Sequence, residues 1–435
     1  MRKSVYRRGI SAVRVSGSSR LQPAVRDSGA PHGADLAAVR HARLDRSARI
    51  SSTPCTDFPN SARFPRATRA YSPKRRGMPS ERAGECSAPA DPCTAVRAAC
   101  ELPDATVDRR QGSSRLMSSY SAEVRAGLAA ARVCLGTMYF GTTVPEKTAR
   151  EVLDRYLERG GRLIDTANCY AFWAEGGTGE ESERVIGRWL ADRGTRDEVL
   201  LASKVGSRPE PLGAPWPEAA EGLGAAVIEA QFRASTERLR TDRLDLYVAH
   251  IDDAGTRLAE TIGAFDALVR AGSVGVLGAS NLATDRLRAA RDLAAERGHA
   301  PYEVVQLRHS YLVPDPGADI APQRAIDAGL LAYARQEGIR LQGYSPLLGG
   351  AYTRADRSFA PEYDTPDNKR RLNVLDALAR ESGLNRGQLV LAWMAGEQPV
   401  VPVLGVSGTA QLDEAMDALA GGLPQEIRAR LDEAW

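Results

Sequence analysis

Four residues of this 435-residue chain form a chemical set: Asp165, Tyr170, Lys204 and His250. A phenol ionises near pH ~10, too high for ready proton donation at neutral pH. An ammonium beside it favours the phenolate and lowers that value. A carboxylate next to the ammonium keeps it charged, and an imidazole can orient a carbonyl oxygen. Together they make a proton donor for reducing a carbonyl, or a proton acceptor for oxidising an alcohol. Lysine is scarce, five residues against 53 arginines, so Lys204 suggests a need for an amine whose pKa responds to burial. Taken singly, each residue has a plainer reading. Asp165 could cap a turn, Tyr170 could be core, Lys204 a surface lysine and His250 a satisfied strand-end histidine.

Such a set needs a framework to hold it. From Val133 onward, short apolar runs alternate with amphipathic stretches. The runs are Val133–Gly136, Arg162–Ile164, Val199–Ser203, Leu244–Ala249, Val274–Gly278, Val304–Leu307, Arg340–Gly343 and Val400–Leu404. Most are apolar on both faces, as parallel strands covered by helices must be. Helices are expected over Glu146–Arg159, Glu180–Arg193, Ala225–Leu239, Leu258–Ala271, Thr284–Arg297, Gln323–Gln336, Lys369–Glu381 and Arg386–Met394. The first shows the logic: Ala149, Val152, Leu153, Tyr156 and Leu157 share a stripe between Pro145 and the stop at Gly160-Gly161. Eight strands separated by helices predict an α/β fold, the (β/α)8 (TIM) barrel. A doubly wound sheet is the runner-up, but no strand runs into G-x-G-x-x-G; Gly222-Leu-Gly224 lacks the third glycine.

Barrel chemistry sits at the C-terminal ends of the strands. Asp165 and Tyr170 follow strand two, Lys204 strand three, and His250, Asp252 and Asp253 strand four. Ser280 and Asn281 follow strand five. Gln306, Arg308 and His309 belong to strand six, Tyr344-Ser-Pro346 to strand seven and Gly405-Val-Ser407 to strand eight. A cluster of Asp165, Tyr170, Lys204 and His250 at successive strand ends is hard to explain by chance.

The body then resembles the aldo-keto reductase superfamily. The segments that carry the likeness are Leu135-Gly-Thr-Met-Tyr-Phe-Gly141, Leu163-Ile-Asp-Thr-Ala-Asn-Cys-Tyr170, Gly179-Glu-Glu-Ser-Glu183, Ala202-Ser-Lys-Val205, Leu244-Asp-Leu-Tyr-Val-Ala-His250, Gly278-Ala-Ser-Asn281 and Tyr344-Ser-Pro-Leu347. They run in family order across residues ~130–420. The resemblance implies Tyr170 as general acid, Lys204 lowering its pKa, Asp165 pairing with Lys204, and His250 polarising the substrate carbonyl. It implies NADP(H) lying across the barrel mouth and direct hydride transfer, with no metal. Ser280, Asn281 and Gln306 would hold the nicotinamide carboxamide and Tyr344 would stack on its ring. Ser345, Leu347, Gly405, Ser407, Gln411 and Glu414 would complete the cofactor contacts. In the last loop many relatives carry an Arg where Gln411 stands and an Asn where Ala415 stands. A neutral Gln cannot grip the 2′-phosphate bidentately, so a weakened NADP preference is expected, with NAD(H) tolerated.

Substrate scope is less legible. Phe172 and Trp173, and further on Tyr352, Phe359 and Tyr363, could line an apolar entrance or be ordinary loop packing. Arg308 and His309 could face a polar substrate or solvate an exposed exit. An aldehyde, ketone, quinone-like compound or keto-sugar all fit. Two other functions use the same barrel: a lysine Schiff-base aldolase and a non-catalytic reductase-like regulatory subunit.

The leading segment differs from the body. Residues 1–116 carry 22 Lys and Arg against 10 Asp and Glu, a net of +12; the remaining residues carry 36 and 45, a net of −9. The segment is Arg-, Pro- and Ser-rich without sustained apolar periodicity, and is expected to be disordered. It could be a basic arm for nucleic acid or an acidic surface, a targeting peptide, or an extension preceding a true start at Met117, just before the first structured pattern. The body, 117–435, is then the barrel domain. No apolar stretch follows Arg7-Arg8 as a secretory signal requires, and no apolar run is long enough to span a membrane. With only Cys134 and Cys169 in the body and no C-x-x-C pair, it reads as a reduced, cytoplasmic protein with no zinc site. Nucleic-acid binding would rest on the leading segment alone.

Overall fold

The computed structural model describes residues 119–396 and 400–435. The expected disorder and the competing roles of 1–116 lie outside the described residues. Eight parallel strands close into a barrel in sequence order, β1 to β8. They are β1 (Cys134–Gly136), β2 (Leu163–Asp165), β3 (Leu200–Val205), β4 (Leu244–Ala249), β5 (Val274–Ser280), β6 (Tyr302–Arg308), β7 (Arg340–Tyr344) and β8 (Val401–Gly405). Closure is the pairing of β1 with β8, Cys134 opposite Val403. The intervening helices are α2 (Glu146–Glu158), α3 (Glu181–Arg193), α4 (Ala225–Leu239), α5 (Leu258–Arg270), α6 (Thr284–Arg297), α7 (Ala328–Glu337), α8 (Pro366–Ser382) and α9 (Arg386–Met394).

Alternation along the strands divides the core in two. One set, including Leu135, Ile164, Leu201, Tyr247 and Leu277, packs outward against the helices. The other, including Cys134, Leu163, Ala202, Leu246, Val248, Val276, Val304 and Val401, fills the barrel itself. This is the two-faced burial that parallel strands require.

Three helices were not legible in the strand-and-helix alternation. Helix α1 (119–130) seals the N-terminal end of the barrel, where Val124 and Leu128 join the interior cluster. The Tyr120 hydroxyl donates to the Leu244 carbonyl (3.1 Å) and to Asp245 Oδ1 (3.0 Å). Gly275 lets α1 approach: a Cβ there would lie 2.7 Å from Val124. The other two, α10 (Thr409–Gly421) and α11 (Gln425–Ala434), follow β8. Helix α7 starts five residues later than Gln323. Residues 324–326 instead continue the sheet, with the Ile326 amide donating to the Arg308 carbonyl, and the Asp327 side chain then caps the helix by accepting from the Leu330 amide. The strands run further than expected: β3 reaches Val205 and β5 reaches Ser280. Lys204 and Ser280 therefore lie within strands, not beyond them.

Candidate active site

Asp165 is the last residue of β2, and Lys204 lies one residue before the end of neighbouring β3. Both point into the barrel, 1% and 0% exposed. Lys204 Nζ donates to Asp165 Oδ2 at 2.6 Å and to the Thr166 carbonyl at 3.0 Å, and also hydrogen-bonds the Tyr170 hydroxyl. The Tyr170 hydroxyl donates to Asp165 Oδ2 at 2.6 Å. The three groups thus close a triangle. An ammonium has three protons to give, and all three are engaged. Lys204 is not a surface lysine.

His250 follows β4 directly, its amide donating to the Val205 carbonyl at 2.9 Å. Its ring meets the Tyr170 ring edge-on, centroids 5.8 Å apart. Burial first, then the Lys204 ammonium, pushes its pKa well below the usual imidazole value, so the ring is neutral. The Tyr170 phenol is pushed well above its usual value, by burial and by the Asp165 carboxylate that accepts its proton. Burial and the carboxylate together outweigh any lowering by Lys204. The carboxylate that holds the ammonium also opposes it, and the resting phenol keeps its proton.

The residues expected to hold a nicotinamide fall into two groups. Ser280, Asn281, Gln306 and Tyr344 stand at or near the ends of β5, β6 and β7, and Gln306 touches the triangle. Gln306 Nε2 donates to Asp165 Oδ1 at 2.9 Å and to Gln342 Oε1 at 2.8 Å. Asn281, in the left-handed region at φ 58°, donates to the His250 carbonyl (3.1 Å) and Ser280 Oγ (3.0 Å). It also accepts from the Tyr344 hydroxyl (2.9 Å) and the Arg324 amide (3.2 Å). Its amide therefore ties four segments of the mouth together. The second group sits at the end of β8 and the start of α10. There the Ser407 amide and hydroxyl donate to Gln411 Oε1 at 2.8 and 3.0 Å. Glu414, a turn further, accepts from Asn385 next to α9. Ser345 and Leu347 lie in the turn after β7, Ser345 at φ 56°.

The residues fit a dinucleotide. Helix α10 has no side-chain cap, and a Cβ at Gly405 or Gly408 would meet nothing within 4 Å. This leaves open space over backbone amides at a helix N-terminus, which suits phosphate. Beside Gln306, Gln342 Nε2 is buried without a hydrogen-bond partner.

Residues 132–435 match the model of the aldo/keto reductase family. The chain belongs to that family. It is 32% identical over 322 residues to an uncharacterized oxidoreductase, YrpG, of Bacillus subtilis, covering 72% of this chain and 94% of YrpG. It is 29% identical over 323 residues to norsolorinic acid reductase stcV of Emericella nidulans, 69% of this chain and 77% of the relative. It is 28% identical over 339 residues to aryl-alcohol dehydrogenase GME11368 of Pestalotiopsis microspora, 74% and 82% respectively. The protein is an oxidoreductase.

In this aldo/keto reductase the mouth residues divide between packing and exposure. His309 faces neither substrate nor solvent: it is 6% exposed and stacks on Trp393, centroids 5.8 Å apart. Arg308 is paired with Glu362 (3.0 Å) and Gln323 (2.7 Å). Tyr352 and Tyr363 are buried, and the Tyr352 hydroxyl bonds Ser310 and the Leu312 amide, so they hold the loop after β7. Phe172, by contrast, lies edge-on to Trp173 (4.9 Å) and 6.0 Å from Trp216, and Trp173 is 42% exposed. Trp216 brings the loop after β3 to this group. Asp252 pairs with Arg286, and Asp253 caps a turn through Gly255, Thr256 and Leu223. Sequence reasoning missed Gln342, although it stands two residues before Tyr344 on the inward face of β7, and Cys169, although it immediately precedes Tyr170. It also missed Glu221, which anchors the segment before Tyr170 by accepting from Asn168 Nδ2 (2.8 Å) and the Gly206 amide (2.7 Å).

Proposed function

We propose that the chain is an NADP(H)-dependent carbonyl reductase, with Tyr170 as general acid and Lys204, Asp165 and His250 as its supporting set. The observation that carries this reading is the buried triangle of Tyr170, Lys204 and Asp165. At rest the phenol donates to Asp165. A carbonyl oxygen placed near Tyr170 Oη and His250 needs only a rotation of the hydroxyl proton to be protonated. As the proton leaves, the phenolate left behind lies against the Lys204 ammonium, and Asp165 keeps that ammonium in place. His250, being neutral, orients the oxygen by a hydrogen bond without competing as an acid. A bound nicotinamide dinucleotide would supply the hydride. Gln306, Gln342, Ser280 and Tyr344 would orient its ring end, and the amides at the start of α10, with Ser407 and Gln411, its phosphate end. A neutral Gln411 supports acceptance of NAD(H) beside NADP(H). The aromatic group of Phe172, Trp173 and Trp216 supports a flat, aromatic carbonyl substrate, in keeping with the names of the norsolorinic acid reductase and the aryl-alcohol dehydrogenase. Residues 117–435 suffice for this activity, which we place in the cytoplasm. NADPH oxidation with benzaldehyde-type substrates tests the reading, with Tyr170→Phe alongside. Loss of turnover in the variant with NADPH binding retained is expected; equal turnover would overturn it.

A further inference from the structure

Cys169 stands directly before Tyr170 and is buried, 2% exposed, with Sγ 3.5 Å from His250 Nδ1. The Ser207 hydroxyl also acts on the thiol, holding its pKa down against the larger effect of burial. Ser207 in turn meets Trp216, whose Nε1 donates to the Ser207 carbonyl at 2.9 Å and to Ser207 Oγ at 3.2 Å. An indole nitrogen can only donate. Ser207 Oγ therefore accepts from Trp216 and keeps its own proton to give. The Cys169 thiol has one proton to give, and His250 Nδ1 is the hydrogen-bond partner within its reach.

We propose that Cys169 is a positioning residue, its S–H donating to His250 Nδ1 and holding the imidazole in the tautomer with its proton on Nε2. Burial keeps both ends in the required state: it pushes the Cys169 thiol up to about 12 and, with Lys204, pushes His250 down, so the thiol keeps its proton and the ring carries one. Nε2 has no hydrogen-bond partner among the described residues. With its proton it can donate to a carbonyl oxygen; the opposite tautomer would present a lone pair and repel that oxygen. The inference rests on the reading of His250 as the group that meets the substrate oxygen.

The test uses the full chain with 15N-labelled histidine, as wild type, Cys169→Ala and Cys169→Ser. The wild type is expected to show a protonated Nε2 and a hydrogen-bonded, unprotonated Nδ1 at His250. Cys169→Ala should populate both tautomers and lower kcat for NADPH-driven aldehyde reduction roughly three- to tenfold, the loss of one oriented neutral hydrogen bond, with KM for NADPH unchanged. Cys169→Ser, which keeps a donor, should restore both readouts. A protonated Nδ1 in the wild type, or an unchanged spectrum in Cys169→Ala, would overturn the proposal. A wild type that turns over no carbonyl substrate would sink the functional reading instead, and the spectrum would still decide the tautomer.

Discussion

Replacing Lys204 with methionine should destabilise the barrel, and replacing Asp165 with asparagine in the same chain should restore most of the loss. Lys204 and Asp165 are 0% and 1% exposed and 2.6 Å apart. Removing the ammonium leaves a buried carboxylate without its cation. Breaking a buried pair in this way costs about 3–5 kcal/mol. Asp165 keeps two donors, Tyr170 and Gln306, which argues for the lower end. At roughly 2 °C per kcal/mol for a domain of this size, the melting temperature should fall by about 6 °C. Lys204→Met with Asp165→Asn removes both charges and leaves a neutral amide that can still meet Gln306. It should melt within roughly 2 °C of the wild type, since replacing a whole buried pair is often nearly neutral. Neither variant should turn over substrate. Circular dichroism melts of the wild type, both single variants and the double variant measure the coupling. A double variant as unstable as the sum of the singles would refute the reasoning, because the cost would then not come from the stranded charge.

Three further outcomes follow from the same geometry. The kcat for carbonyl reduction should be flat from pH 6.5 to about 9: Tyr170, pushed up, stays protonated, and His250, pushed below 6.5, stays neutral. A pH–rate limb with its midpoint near 6.5 would contradict this. Gln411→Arg should raise the preference for NADPH over NADH by about tenfold or more, through a charge-assisted contact and by releasing the Ser407 amide that Gln411 now occupies; KM values for both cofactors measure it. Leu128→Ala should cost about 2–5 kcal/mol, because the side chain is 2% exposed within the barrel plug, and leave KM unchanged. Thermal melts and steady-state kinetics check the two halves of that statement.

The barrel was legible because its strands are short apolar runs bounded by helix signals, and that pattern depends on burial on both faces. Asp165, Tyr170, Lys204 and His250 were legible because strand ends are few and a lone lysine among arginines is conspicuous. What was lost depends on contacts that sequence spacing does not carry. Helix α1 offers only Tyr120, Val124 and Leu128 at four-residue intervals, too narrow a stripe to distinguish a barrel plug from a loop. The segment before α7 is amphipathic enough to be helical, but its backbone pairs with the end of β6. His309 looked accessible at a strand end, and only packing against Trp393 and Trp435 shows that it is not. The net direction of the Tyr170 pKa was not legible, because the sequence names the neighbours but not which of them accepts the phenol's proton.

The central claim is that Tyr170 gives its proton to a carbonyl oxygen. The most direct measurement is NADPH oxidation by the wild type and Tyr170→Phe, with NADPH binding followed by fluorescence on the same samples. Loss of about 10²–10⁴ in kcat with binding unchanged is the predicted result. A variant that retains turnover within a few-fold of the wild type would contradict the account.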